Sequence, residues 1–162
     1  MSQDIVTMTD RFVVIGNPIK HSLSPAIHAD FARQTGASIQ YRRWLSPLNG
    51  FERTVSALQA AGVVGANVTV PFKHEAAQLA TEPSPEVQFS GAANTLKFKV
   101  GGGFQAFNTD GEGLCQDLSR LLAEQGLALS GVHVLMLGAG GAAKGCISAF
   151  KSHGVAHLTV LN

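Results

Sequence analysis

Charge is what this sequence has least of. Only 14% of its 162 residues are Asp, Glu, Lys or Arg, and the formal net charge is +1. Without an excess of one sign there is no electrostatic footprint for a nucleic acid or an anionic membrane surface, and neither is expected as a partner. Cysteine is almost missing too. Cys115 and Cys146 are far apart and form no CxxC, which excludes a disulfide framework and a zinc knuckle. Free thiols suit a reducing cytosol, so a cytoplasmic location is expected. The six histidines show no HExxH pair or other recognised ligand spacing, so no metal site is expected. No apolar run is long enough to span a bilayer; the longest, around Val134 to Ala143, is short and broken by glycine. The first residues, MSQDIVTMTDR, carry acids and lack an apolar core, unlike a signal peptide. Repeats and low-complexity runs are absent.

What is present is apolar residues, at 45%, and glycine, at 18 of 162. That apolar content can bury a core, which excludes a disordered chain, and the length corresponds to about one domain. The pattern alternates between strand and helix. Phe12 to Gly16 is a short continuous apolar run, as in a strand buried on both faces. A helix is expected from Pro25 to Arg33, then a strand over Ile39 to Leu45 and a helix over Phe51 to Ala61. Gly65 to Val70 reads as a strand, Lys73 to Ala80 as a short helix, and Thr81 to Pro85 as the most loop-like stretch. Ala93 to Val100 and Phe104 to Phe107 flank three glycines, a hairpin signature. Gly111 to Ala123 is helical, Val132 to Leu137 a strand, Gly141 to Ser152 a helix, and Ala156 to Leu161 a last strand. This alternation predicts an α/β fold with a mainly parallel sheet.

Four segments carry the chemistry. In VHVLMLGAGGAAKG a buried strand runs into Gly138-Ala139-Gly140-Gly141-Ala142-Ala143 and then a helix. This is the G-x-G-x-x-G/A dinucleotide fingerprint in its required context. Gly138 permits the tight turn, Gly140 lets the backbone approach a pyrophosphate, and Ala143 keeps the helix close to the sheet. In GANVTVPFK, alternation puts Asn67 and Thr69 on one face, and Lys73 falls in the first turn of a helix. A cation there opposes the helix dipole, a local rule broken as functional positions often break it. The alternative is a solvated surface lysine. In NTDGEG, Asp110 reads as a helix N-cap or as the acidic half of an acid-base pair with Lys73. Two glycines in the first turn fit a ligand approaching the backbone closely. In HSLSP, Ser22 and Ser24 project to one side, suited to a carboxylate, or Ser24 is simply an N-cap. Asn94 at a strand start stays open.

Taken together, GNPIKHSLSP at 16–25, GANVTVPFK at 65–73, GAANTL at 91–96, NTDGEG at 108–113 and GAGGAAKG at 138–145 resemble the shikimate dehydrogenase family, in family order and across essentially the whole chain. The resemblance implies NADP-dependent, reversible reduction of 3-dehydroshikimate to shikimate, a step of aromatic amino-acid biosynthesis. It implies a substrate carboxylate on Ser22 and Ser24, ring hydroxyls on Asn67, Thr69, Asn94 and Asp110, and Lys73 with Asp110 as the catalytic pair. Gly138 to Ala143 would hold the NADP pyrophosphate. NADP also fits the absence of an acid in Leu161-Asn162, where NAD enzymes tend to place one. Departures from the family pattern fall at Glu82 to Ser90 and at Ala106-Phe107. A quinate/shikimate dehydrogenase with broader substrate and cofactor use, or a non-catalytic substrate-binding fragment, are the alternatives. A homodimer is left open.

The expected division is a shikimate-binding domain at 1–107 followed, at 108–162, by the first β-α-β unit of a Rossmann-type domain. The chain thus reads as an N-terminal portion. Alone it is expected to be inactive or impaired, with 108–162 held less firmly than 1–107 and Val134, Met136 and Val160 uncovered.

Overall fold

The computed structural model describes residues 10–162; of MSQDIVTMTDR, read above as unlike a signal peptide, residues 1–9 lie outside the described residues. Along the chain run β1 (Asp10–Gly16), α1 (Ser24–Thr35), β2 (Ile39–Leu45), α2 (Phe51–Ala60), β3 (Gly65–Val68) and α3 (Lys73–Leu79). Then come β4 (Glu82–Pro83), α4 (Pro85–Ser90), β5 (Thr95–Phe98), β6 (Phe104–Phe107) and α5 (Asp110–Ala123). The last three are β7 (His133–Leu137), α6 (Gly141–Ser152) and β8 (His157–Leu161).

β1 to β6 form one sheet in the order β2-β1-β3-β5-β6-β4, and β7 and β8 form a second, parallel pair. β1 runs parallel to both β2 and β3, as crossover helices α1 and α2 require. β5 is antiparallel to β3 and β6, because the three-glycine turn returns the chain at once. At that turn Gly101, Gly102 and Gly103 all take positive φ, which a side chain would oppose. The result is a mixed α/β fold with a mainly parallel sheet, as the alternation predicts; only β5 runs against the other strands.

β4 and α4 depart from the expected loop. Ser84 caps α4 by accepting from the Val87 amide, Pro85 takes the first turn, and Gly91 closes the helix in the left-handed region. Glu82 and Pro83 pair with β6. Proline density there marks a helix start rather than an irregular run.

The main core lies between the large sheet and its helices: Val13, Ile15, Ala66, Val68 and Leu96 from strands, with Phe51, Val55, Leu58 and Phe72. Phe51 and Phe72 are stacked with centroids 5.0 Å apart. Burying each is worth about 1.5–3 kcal/mol, and together they fix the loop that ends at Lys73. A second core joins Cys115, Leu129, Cys146, Ala149 and Phe150, with Val134, Met136 and Leu158 packed against it. Val134 and Met136 are therefore partly buried against α5 and α6, against expectation, while Val160 is exposed as expected. The open face of β7 and β8 instead carries Leu135, Leu137 and Leu161, because alternation sends even positions to the helices.

Candidate active site

Five elements converge on one polar hollow of about 290 Å³, lined by Ser24, Ile27, His28, Asn67, Thr69, Lys73, Asn94 and Asp110 among others. β3 supplies Asn67 just where the strand ends. The short turn through Pro71, packed by buried Phe72, delivers Lys73 as the first residue of α3. Opposite it, β6 runs into Asn108-Thr109-Asp110 at the head of α5. A larger hollow of about 520 Å³ lies between α4, α5 and α6, around Glu86, Glu112, Gln116, Ser148 and Ser152. None of the residues expected at the site lines it.

The central contact is an ion pair. Lys73 Nζ donates to Asp110 Oδ2 at 2.6 Å, with both side chains 29% exposed. Lys73 is thus no solvated surface lysine; its cation is matched by a carboxylate brought from 37 residues away. Nor does Asp110 cap α5: Thr109 is the N-cap residue, Asp110 is the first helical one, and its side chain turns to Lys73. Asn94 Nδ2 donates to the other carboxylate oxygen, Oδ1, at 2.8 Å. A carboxylate bound at both oxygens by a cation and an amide has its orientation set.

Asn108, which sequence reasoning passed over as a junction residue, anchors this arrangement. It is buried, donates from Nδ2 to the Ala92 carbonyl at 3.0 Å and to Ser90 Oγ at 3.3 Å, and accepts the Asp110 amide on Oδ1 at 3.1 Å. The head of α5 is thereby pinned to the end of α4. Gly111 has a packing role rather than a ligand role. A Cβ there would lie 2.4 Å from the Gly145 carbonyl oxygen and 2.9 Å from Ala149 Cβ, so α5 and α6 touch through it. At Gly113 a Cβ would meet nothing within 4 Å.

At the other end of the hollow Ser22 Oγ donates to Ser24 Oγ at 3.1 Å, so the two hydroxyls do face one another. Ser24 is the first residue of α1, not its cap, which is Leu23 without a side-chain bond. Ser22 lines an adjoining hollow that shares Val14, Ser24 and Thr69 with the first. Asn67 is held by Tyr41, whose phenol donates to Oδ1 at 2.6 Å. The Tyr41 ring stacks on His28, with centroids 4.0 Å apart and planes 8° from parallel. Burial pushes the Tyr41 phenol up to about 12 and lowers the pKa of the His28 imidazole. Neither residue carries a sequence pattern that marks it.

The glycine-rich turn begins where β7 ends. Gly138 has φ +100°, a conformation that favours glycine, and its amide donates to the Leu161 carbonyl at 2.6 Å. Gly140 is the N-cap of α6 with no side-chain bond to the first amides, and a Cβ there would meet nothing within 4 Å. Ala142 borders a further hollow with Thr69, Lys73, His74 and Ala92, so the turn reaches the lysine side of the site. Among the described residues no group of three or more His, Cys, Asp or Glu could hold a metal ion, and no helix is long and apolar enough to cross a membrane.

The model for the shikimate dehydrogenase substrate binding domain matches residues 14–96. A shikimate dehydrogenase (NADP(+)) from Paracidovorax citrulli is 49% identical over 153 residues, which are 94% of this chain and 53% of that protein. The chain spans about half the length of the curated relatives it matches. The solved shikimate dehydrogenase of Aquifex aeolicus superimposes with a TM-score of 0.84 at 30% identity, over 98% of this chain and 64% of that one. Shikimate 5-dehydrogenase of Thermus thermophilus, solved with shikimate, gives 0.80 at 34%, over 95% and 57%. The polar hollow built by β3, α3, β5 and α5 is thus part of a known architecture: this chain belongs to the shikimate dehydrogenase family.

Proposed function

We propose that the protein carrying this chain interconverts 3-dehydroshikimate and shikimate with NADP, and that this chain provides the substrate site and the proton-transfer pair. The observation that carries the reading is the Lys73–Asp110 contact, 2.6 Å long, in a hollow whose other polar lining is Ser24, His28, Asn67, Thr69 and Asn94. Such a lining suits a small polyhydroxylated acid, since every polar group on the ligand needs a partner once it leaves water.

The roles follow from position. Ser22 and Ser24 at the start of α1 bind the carboxylate by hydroxyl donation. Asn67, Thr69 and Asn94 meet the ring hydroxyls. Lys73 gives a proton to the carbonyl oxygen during reduction and takes one from the hydroxyl during oxidation, while Asp110 holds the ammonium in place and accepts a substrate hydroxyl. A general acid so placed is worth roughly 10²–10⁴-fold in rate. The turn from Gly138 through Ala139, Gly140, Gly141 and Ala142 to Ala143 fits a dinucleotide pyrophosphate, because a Cβ at Gly138 or Gly140 would meet nothing within 4 Å and the head of α6 lacks a side-chain cap. A dinucleotide with its pyrophosphate on this turn would supply the hydride for the substrate's carbonyl carbon.

The division at 107/108 has its support in the two sheets and two cores: the large sheet ends at Phe107, and α5, α6, β7 and β8 share the second core. The test is Lys73→Ala in the protein that carries this chain. NADP reduction with shikimate should lose roughly 10²-fold or more in kcat with little change in shikimate affinity. A kcat within about threefold of wild type would remove Lys73 from proton transfer.

A further inference from the structure

The amides and hydroxyls around the hollow are not a loose set. Tyr41 Oη donates to Asn67 Oδ1 at 2.6 Å; Asn67 Nδ2 donates to Thr95 Oγ1 at 3.2 Å; Thr95 Oγ1 donates to Asn94 Oδ1 at 2.9 Å; and Asn94 Nδ2 donates to Asp110 Oδ1 at 2.8 Å. Every donor points the same way round, and the chain ends on the carboxylate that holds Lys73. Side bonds fix its sense. Asn67 Nδ2 also donates to the Asn94 carbonyl at 3.3 Å, which forces its Oδ1 toward Tyr41. Asn94 Oδ1 also accepts the Thr109 amide at 3.1 Å, which forces its Nδ2 toward Asp110. The chain starts at the Tyr41 phenol, which stands on β2 beside the hollow.

We propose that Tyr41 and Thr95 are positioning residues that orient Asn67, Asn94 and, through them, Asp110 by one directional hydrogen-bond chain. The inference rests on the reading of this hollow as the shikimate site and adds to it how the catalytic carboxylate is oriented. Neither residue is needed to touch the substrate. Tyr41 is locked by the flat stack on His28, so its hydroxyl stays on Asn67. Thr95 is the joint between the two asparagine side chains: its oxygen accepts from one and donates to the other. Bonds linked head to tail polarise one another, so loss of one joint weakens its neighbours as well.

The test uses this chain with Thr95→Val, Thr95→Ser and Tyr41→Phe, and shikimate as the probe. NMR of the side-chain amides of Asn67 and Asn94 reads the chain with no ligand present, and titration with shikimate reads affinity. Thr95→Val should shift both asparagine amides and weaken shikimate binding about fivefold to tenfold, the scale of one hydrogen bond. Thr95→Ser should restore both. Tyr41→Phe should shift the Asn94 amide as well as that of Asn67, although Tyr41 bonds only the latter. Amide shifts confined to Asn67 in Tyr41→Phe, or a Thr95→Val chain that binds as wild type, would overturn the proposal. Absence of shikimate binding by the wild-type chain would instead fault the functional reading, while the amide shifts would still decide the chain.

Discussion

Gly111→Ala is the substitution whose cost can be worked most directly from the structure. The new Cβ would sit 2.4 Å from the Gly145 carbonyl oxygen, 2.9 Å from Ala149 Cβ and 3.1 Å from Cys146 Cα. Carbon–oxygen contacts settle at about 3.3 Å or more, so α5 and α6 must part by roughly 1 Å. Overpacking of this kind costs about 1–3 kcal/mol, against which alanine in a helix recovers up to about 1 kcal/mol over glycine. Gly113→Ala, two residues on, is the control. Nothing lies within 4 Å of its Cβ, so only the helix-propensity gain remains. The two variants should therefore separate by about 1–3 kcal/mol in urea unfolding, or some 2–10 °C in Tm, with Gly113→Ala the more stable. Because Asp110 precedes Gly111, the first variant should also weaken shikimate binding and the second should not. Equal stability of the two would refute the claim that α5 and α6 close through Gly111.

Ser24→Ala should raise KM for shikimate about tenfold with kcat little changed, since a carboxylate contact exists in ground and transition states alike; steady-state kinetics decides, and a loss confined to kcat would count against it. Cys115 and Cys146 are buried between α5 and α6, and burial raises the pKa of both thiols. Both should resist a disulfide reagent near neutral pH in the native chain and react at once in denaturant; rapid native labelling would show that α5 and α6 part readily.

Most of the architecture was legible because periodicity was strong where burial was one-sided. The strand over Ile39 to Leu45 and the helix over Gly141 to Ser152 fall where the pattern puts them. The short helix at Pro85 was missed because its six residues are too few to show a period, and its capping serine sits among prolines that read as loop. Lys73 and Asp110 stood out, one by opposing a helix dipole and the other by its glycine setting, but the reason behind the second signal was different: Gly111 serves helix packing. Tyr41 and His28 were invisible, and the parts played by Asn108 and Thr95 were unreadable, for a physical reason. Their role depends on partners brought from other elements, as when Tyr41 of β2 meets Asn67 of β3, and no local spacing encodes that pairing.

The central claim is that shikimate sits between the serine pair and the Lys73–Asp110 contact. Backbone amide NMR of this chain, titrated with shikimate to millimolar concentration, tests it most directly. Shifts should concentrate at Ser22 to Ser24, Asn67 to Thr69, Lys73, Asn94 and Asp110, and should need about tenfold more shikimate in Ser24→Ala. Shifts clustered instead around Glu86, Glu112 and Ser148, in the larger hollow between α4, α5 and α6, would contradict it.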